Sequence, residues 1–322
     1  MFKSTSLGST IGSIIAFRSF SISTIQRSSY NHISRKTLAD ITKLYKSGEP
    51  ISMVTSHDFI TSKMLENAEI DINLIGDSLA NTTLGYADTN ELTLDEFLYH
   101  VKSVQRGNAY SLLVADMPFG SFESSIEQAT TSAVKLVQQG KIQAVKIEGG
   151  NEENLPTIKK LISMGIPVMG HVGLTPQKHN TLGGYKLQGN NVKNAVSIFQ
   201  ECVNLQNAGV FAIVLECIPN KLSEFITQKL SIPTIGIGAG PNTSGQVLVV
   251  SDMLGMKDPT ENHTAKFVKK YGNFFDLGVK GLKEYKADVK ANSFPNPDKH
   301  GYKIKSEVLE QFKLEAEKVN NL

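Results

Sequence analysis

Between residues 51 and 252 the chain repeats one pattern eight times: a short apolar stretch, then a polar residue or glycine at its end. The stretches are ISMVTSHD from Ile51, INLIGDS from Ile72, SLLVADMP from Ser111 and AVKIEGG from Ala144. They continue with PVMGHVG from Pro167, FAIVLEC from Phe211, PTIGIGAG from Pro233 and QVLVVSD from Gln246. Runs this short, with little alternation, suit strands buried on both faces. Apolar residues recur at helical spacing in Thr37–Lys46, Leu94–Gln105, Ser125–Gln139, Leu155–Met164, Val192–Asn207 and Lys221–Lys229. Only a short glycine-rich loop separates the last two strand candidates. Strand and helix in alternation predict an α/β protein, a (β/α)8 TIM barrel with a C-terminal helical extension. A doubly wound open sheet is the alternative, but no GxGxxG follows the first strand, and GIGAG at Gly236–Gly240 lies late with the wrong spacing.

Outside the barrel the pattern changes. His263–Lys286 predicts one or two helices. SEVLEQFKLEAEKVN from Ser306 places Val308, Leu309, Phe312 and Ala316 near one helical face, for packing on the barrel or on a neighbouring subunit. Three segments follow: a leader over 1–36, a catalytic barrel over 37–290, and a loop and helix over 291–322.

Composition changes this picture mainly at the N-terminus. The chain of 322 residues is 40% apolar and 20% charged, ordinary for an enzyme. The net charge of +2 divides into +5 over residues 1–36 and −3 over the rest. The leader holds ten serines and no acid, the composition of a mitochondrial transit peptide or of a disordered basic tail; RSFS at Arg18–Ser21 resembles a matrix-protease site, with a cut in the twenties. The mitochondrial matrix is the expected location. No apolar run approaches the roughly 18 residues of a membrane helix, and a near-neutral body argues against nucleic-acid partners. The two cysteines, Cys202 and Cys217, make neither a disulfide framework nor a metal pair.

A barrel gathers its chemistry where the strands end. The first six stretches end at or carry Asp58, Asp77-Ser78, Asp116, Lys146 with Glu148, His171 and Glu216. Asp58 reads best as a helix N-cap, and Asp77 alone could be one too. Asp77, Asp116 and Glu148, on adjacent strands, would repel one another unless a cation sits among them. Mg2+ suits this set, whereas Zn2+ lacks its His/Cys cluster. Lys146, two residues before Glu148, shares its face and suits a substrate carboxylate or a structural ion pair. His171 could be a hydrogen-bonded core histidine or a catalytic one. Glu216 leaves a dry strand across the mouth; isolated there, its proton affinity should rise and suit a general base. Cys217 is expected to face the other way as packing. The residues by themselves point to metal-dependent enolate chemistry on an anionic keto acid.

VTSHDF, LIGDSLA, LGYADT, VADMPFGSF, VKIEGG, GHVGLTPQ, LGGYKLQG, VLECIP, IPTIGIGAG and GQVLVVSDMLG occur in that order. Over Ile51 to Lys270 the set resembles the ketopantoate hydroxymethyltransferase family. The resemblance implies transfer of a hydroxymethyl group from 5,10-methylenetetrahydrofolate to 3-methyl-2-oxobutanoate, in pantothenate synthesis. It implies Mg2+ at Asp77, Asp116 and Glu148, the last direct or through water. It implies substrate contacts from Asp77, Ser78, Asp116 and Lys146, Glu216 as proton acceptor, and a homo-decamer. Ala80, His57 and DTNEL at Asp88–Leu92 depart from the family pattern and bear on the substrate loops, not on the carboxylates. The leader and the C-terminal extension suggest a fungal version. The rivals are an isocitrate-lyase-type barrel, whose Lys-Lys-Cys-Gly-His loop is missing, and a non-catalytic binding barrel, which would have lost its mouth acids.

Overall fold

The computed structural model describes residues 35–260 and 264–319. The eight apolar stretches form β1 (Ile51–Ser56), β2 (Ile72–Ile75), β3 (Leu112–Asp116), β4 (Ala144–Glu148), β5 (Val168–Gly173), β6 (Ala212–Glu216), β7 (Thr234–Ile237) and β8 (Gly245–Leu248). Each strand pairs in parallel with the next, and β8 pairs with β1, so the sheet closes. Closure excludes the doubly wound alternative.

The strands alternate between two cores. Leu112 and Val114 of β3, Ala144 of β4, Met169 of β5 and Ala212 and Val214 of β6 fill one cluster, the barrel interior. Leu113, Ala115, Val145, Ile147, Ile213 and Leu215 belong to another, with Phe97, Val101, Leu136, Leu161 and Leu205 from the surrounding helices. With a period of two, Asp116, Lys146, Glu148, His171 and Glu216 fall on the interior register at the strand ends. The apolar stretches therefore build both layers and also aim the polar residues inward.

The helices begin where their caps stand. Thr37, Thr93 and Ser125 cap Leu38–Ser47, Leu94–Gly107 and Ile126–Gly140. Asp58 caps Phe59–Asn67 in a reciprocal box with Thr61, satisfying an otherwise orphaned helix N–H. The link from β7 to β8 contains no helix, as the short loop implies.

Both ends add something that charge and periodicity did not show. Arg35 Nη2 donates to Asn108 O at 2.6 Å, Lys36 pairs with Asp71, and the Lys36 N–H bonds Tyr110 O. These two residues, grouped with the leader on charge alone, are tied to the barrel. At the other end, the helices Phe274–Lys290 and Ser306–Val319 contain no buried residue. Beside β1 and β8 lies a groove lined by Met53, Val54, Leu248, Met253 and Tyr271.

Candidate active site

The inner end of the barrel holds a cavity of about 100 Å3 lined by Asp77, Ser78, Asp116, Lys146, Glu148, His171 and Glu216. All the strand-end residues singled out in the sequence meet here except Asp58, which caps its helix. Asp77 and Ser78 come from the loop after β2. There Gly76 is needed for space: a Cβ would lie 2.9 Å from Ser78 Oγ and 3.3 Å from Thr55 Cγ2. The tight turn lets the Asp77 N–H donate to Asp116 Oδ2 at 2.9 Å.

Asp77, Asp116, Lys146, Glu148 and His171 are each at most 6% exposed, so their charges must be settled among themselves or by a bound ion. Lys146 Nζ lies 3.0 Å from Asp116 Oδ1 and 3.2 Å from His171 Nδ1. His171 Nε2 lies 3.1 Å from Glu216 Oε2, and Nδ1 lies 3.5 Å from Glu148 Oε1. Gln177 closes the ring. Its side-chain amide donates to Asp77 Oδ2 at 2.8 Å and to Met117 O, and its backbone N–H to Glu148 Oε2 at 3.1 Å.

Burial, then the charges of Asp116 and Glu148, hold the Asp77 carboxyl well above the usual carboxylate range. Burial disfavours the Lys146 ammonium, but Asp116, Glu148 and Asp77 outweigh that and raise its proton affinity. For His171, burial and Lys146 favour the neutral ring; Glu148 and Glu216 prevail and lift it to about 9. Four carboxylates against one ammonium and one imidazolium leave an excess of two negative charges when all are ionised.

That excess fits a divalent cation. Asp116 Oδ1 and Glu148 Oε1 are buried and lack a well-aligned hydrogen bond; each faces only a cationic neighbour, Lys146 Nζ at 3.0 Å and His171 Nδ1 at 3.5 Å. Among the described residues no group of three or more His, Cys, Asp or Glu side chains is placed to hold a metal ion by itself. A hard ion at this site would be held through one or two carboxylates and completed by water or substrate oxygens.

Two expectations about the sixth strand change. Glu216 is not isolated, because the His171 imidazole faces it. Cys217 does not turn away. Its φ of 47° places it in the left-handed region, which breaks strand alternation, and it lines a second cavity together with Glu216. Burial and Glu216 push its thiol up to about 12, so it is no ready nucleophile. Gln177 escaped the sequence reading although GHVGLTPQ carries both it and His171. Reading that motif as one site element would have found it.

A family model for ketopantoate hydroxymethyltransferase matches residues 35–297. A 3-methyl-2-oxobutanoate hydroxymethyltransferase of Emericella nidulans is 43% identical over 309 residues, covering 96% of this chain and 88% of its own. One from Saccharomyces cerevisiae is 45% identical, covering 88% of this chain and 91% of its own. One from Arabidopsis thaliana, named mitochondrial, is 42% identical, covering 90% and 84%. Among solved structures, a phosphonopyruvate hydrolase complexed with oxalate and Mg2+ superposes with a TM-score of 0.53 at 13% identity, covering 88% of this chain and 96% of that one. At that identity the likeness concerns the fold.

Proposed function

The chain belongs to the ketopantoate hydroxymethyltransferase family, and we propose that it transfers a hydroxymethyl group from 5,10-methylenetetrahydrofolate to 3-methyl-2-oxobutanoate. The products are 2-dehydropantoate and tetrahydrofolate, on the route to pantothenate. The observation that carries this reading is one cavity with two opposed arcs. Lys146 and three acids lie on one side and Glu216 on the other, with His171 between them.

Lys146 binds the substrate carboxylate, and Asp77, Ser78 and Asp116 contact the keto acid. Asp77 and Asp116 would hold Mg2+, with Glu148 direct or through water. When bound, the ion would supply Lewis-acid polarisation of the C2 carbonyl, which would acidify C3–H. Glu216 accepts the C3 proton as general base, and His171 fixes the carboxylate that does so. C3 then bonds to the donor's methylene carbon, both methylene–nitrogen bonds break, and water supplies the hydroxyl oxygen. The methylene carbon is formally reduced by one and C3 oxidised by one as the C–C bond forms, so the step is redox-neutral overall and no external oxidant or reductant is needed. An isocitrate-lyase-type reaction is the alternative. Relatives of that kind match at 13–14% identity and share only the fold.

The test follows the C3 proton by NMR in D2O with Mg2+ and 3-methyl-2-oxobutanoate. Exchange is expected, followed by 2-dehydropantoate when the folate is added; neither exchange nor product would overturn the assignment.

The chain is also proposed to form a homo-oligomer, a decamer by family resemblance. Support comes from the helix Phe274–Lys290, which leaves Leu277 and Leu282 at least 64% exposed, and from the groove beside β1 and β8. Light scattering should give a multiple of 35.1 kDa, and a monomer at micromolar concentration would count against it. Mitochondrial matrix is the proposed location, supported by the basic, acid-free leader. Residues 1–34 fused to a fluorescent protein should carry it into mitochondria; cytosolic fluorescence would refute this.

A further inference from the structure

DTNEL, at Asp88–Leu92, is where the loop after β2 leaves the family pattern, and no step of the proposed reaction uses it. The chain from Asp77 runs through the short helix Leu79–Thr82 to a 3-10 turn at Thr89–Glu91. Asp88 starts that turn. Its Oδ1 accepts from the Asn90 N–H at 2.8 Å, and Glu91 Oε1 accepts from the Ala87 N–H at 2.7 Å. Thr89 and Leu92 are buried, so the turn is anchored from within. Asp88 and Asn90 turn to a neighbouring loop.

That neighbour is the loop after β5, which holds a second 3-10 turn, Pro176–Lys178, and the short helix His179–Leu182. Asn90 Nδ2 donates to Gln177 O at 3.0 Å. His179 Nε2 lies 3.4 Å from Asp88 Oδ2, and its Nδ1 donates to Pro176 O at 2.9 Å. Tyr185 lies parallel to the imidazole, centroids 5.7 Å apart, which fixes the ring plane. The turn thus grips the backbone of Gln177 with one arm and the imidazole two residues on with the other. Gln177 reaches inward from this grip. Its amide is the one hydrogen-bond donor to the Asp77 carboxylate among the described residues, and its N–H donates to Glu148. A closed circuit results: from Asp77 along the chain to Asp88 and Asn90, across to Gln177, and back to Asp77. The terminal torsion of a glutamine is broad, so the amide stays on Asp77 only if the backbone beneath it is held.

Partners that orient a ligating carboxylate govern how tightly a metal is held, even without touching it. We propose that Asp88, Asn90 and His179 are positioning residues for Mg2+ capture: by clasping the loop after β2 to the loop after β5, they hold Gln177 on Asp77 and Glu148. Asp77 and Glu148 belong to different loops and strands, and Gln177 bonds both. With the clasp closed the two acids keep one spacing, as a small hard cation demands. This assignment rests on the reading of Asp77 and Glu148 as Mg2+ ligands and adds what sets them.

The experiment titrates Mg2+ into the metal-free protein by calorimetry and, separately, follows C3–H exchange against Mg2+ concentration. The double variant Asp88→Ala/Asn90→Ala is expected to weaken Mg2+ binding about tenfold, the lower end for an orienting partner. The Mg2+ needed for half-maximal exchange should rise by the same factor. His179→Phe, which keeps a ring against Tyr185 but loses both nitrogens, breaks the clasp from the other side and should act alike. Asp88→Asn should bind Mg2+ within about twofold of wild type: its oxygen still caps the turn, and its amide can donate to Nε2 while Nδ1 keeps its proton. In a Gln177→Leu background the double alanine change should cost less than about twofold more, because the clasp acts through Gln177. Unchanged Mg2+ affinity in both the double variant and His179→Phe overturns the proposal, even where the urea midpoint falls, since the clasp would then be structural alone. So does a full further loss in the Gln177→Leu background, which would route the effect elsewhere. Absence of Mg2+ binding by the wild type would instead strike the metal reading itself.

Discussion

Glu216→Gln is expected to slow C3–H exchange of 3-methyl-2-oxobutanoate by about 10²–10⁴-fold, the usual worth of a positioned general base. Mg2+ and keto-acid binding should change little. The substitution preserves shape, and the amide oxygen can still face His171 Nε2, now 3.1 Å from Glu216 Oε2. What it removes is the ability to hold a proton. Glu216 lies across the cavity from the acids that gather at Lys146, so the Mg2+-dependent rise in melting temperature should survive. Loss of that rise would make Glu216 a metal ligand and remove it from the role of base. Exchange at the wild-type rate would assign the proton to another group, with His171 next in line by contact.

Lys146→Met should weaken the apoprotein by about 3–5 kcal/mol at pH 8, because it strips the ammonium from a buried set of carboxylates. Lys146 is 6% exposed and sits 3.0 Å from Asp116. Methionine nearly conserves the volume, so the loss is one of charge, not packing. The pH dependence has a definite sign. Asp77 is raised above its usual 3.8 in the folded protein by burial, Asp116 and Glu148, while Lys146 works the other way. A raised carboxyl holds its proton in the folded state at a pH where the unfolded chain has already lost it. Its favourable contribution is therefore full below about 3.8 and fades as pH rises through the folded value. Removing Lys146 raises that folded value further. Urea unfolding without metal should then show the gap from wild type narrowing between pH 8 and pH 5. The keto-acid KM should rise about 10–100-fold with the lost charge-assisted contact. Equal stability of variant and wild type at pH 8 would show that Lys146 is not the compensating charge.

Much of the architecture was legible because strand periodicity is local. AVKIE shows by itself that Ala144, Lys146 and Glu148 share a face, and β4 realises it. Asp58 was readable as a cap for the same reason, since its partner Thr61 lies three residues away. The loop between β7 and β8 was visible as an interval too short for a helix. The failures are non-local. Nothing near Glu216 in the sequence indicates His171, 45 positions earlier, because the pairing of β5 with β6 brings them together. Gln177 reaches Asp77 across 100 positions. Cys217 was misplaced because alternation ends where the backbone turns left-handed.

The sequence by itself determined the barrel, the inward register of its strand-end acids and the family, because each rests on short-range periodicity or on ordered motifs. The tertiary structure decided who faces whom. Barrel closure converts distant strand ends into neighbours, and burial then forces their charges to be settled together. Lys146 is thereby bound to Asp116, His171 is set between Glu148 and Glu216, and an excess negative charge is left that suits a divalent ion.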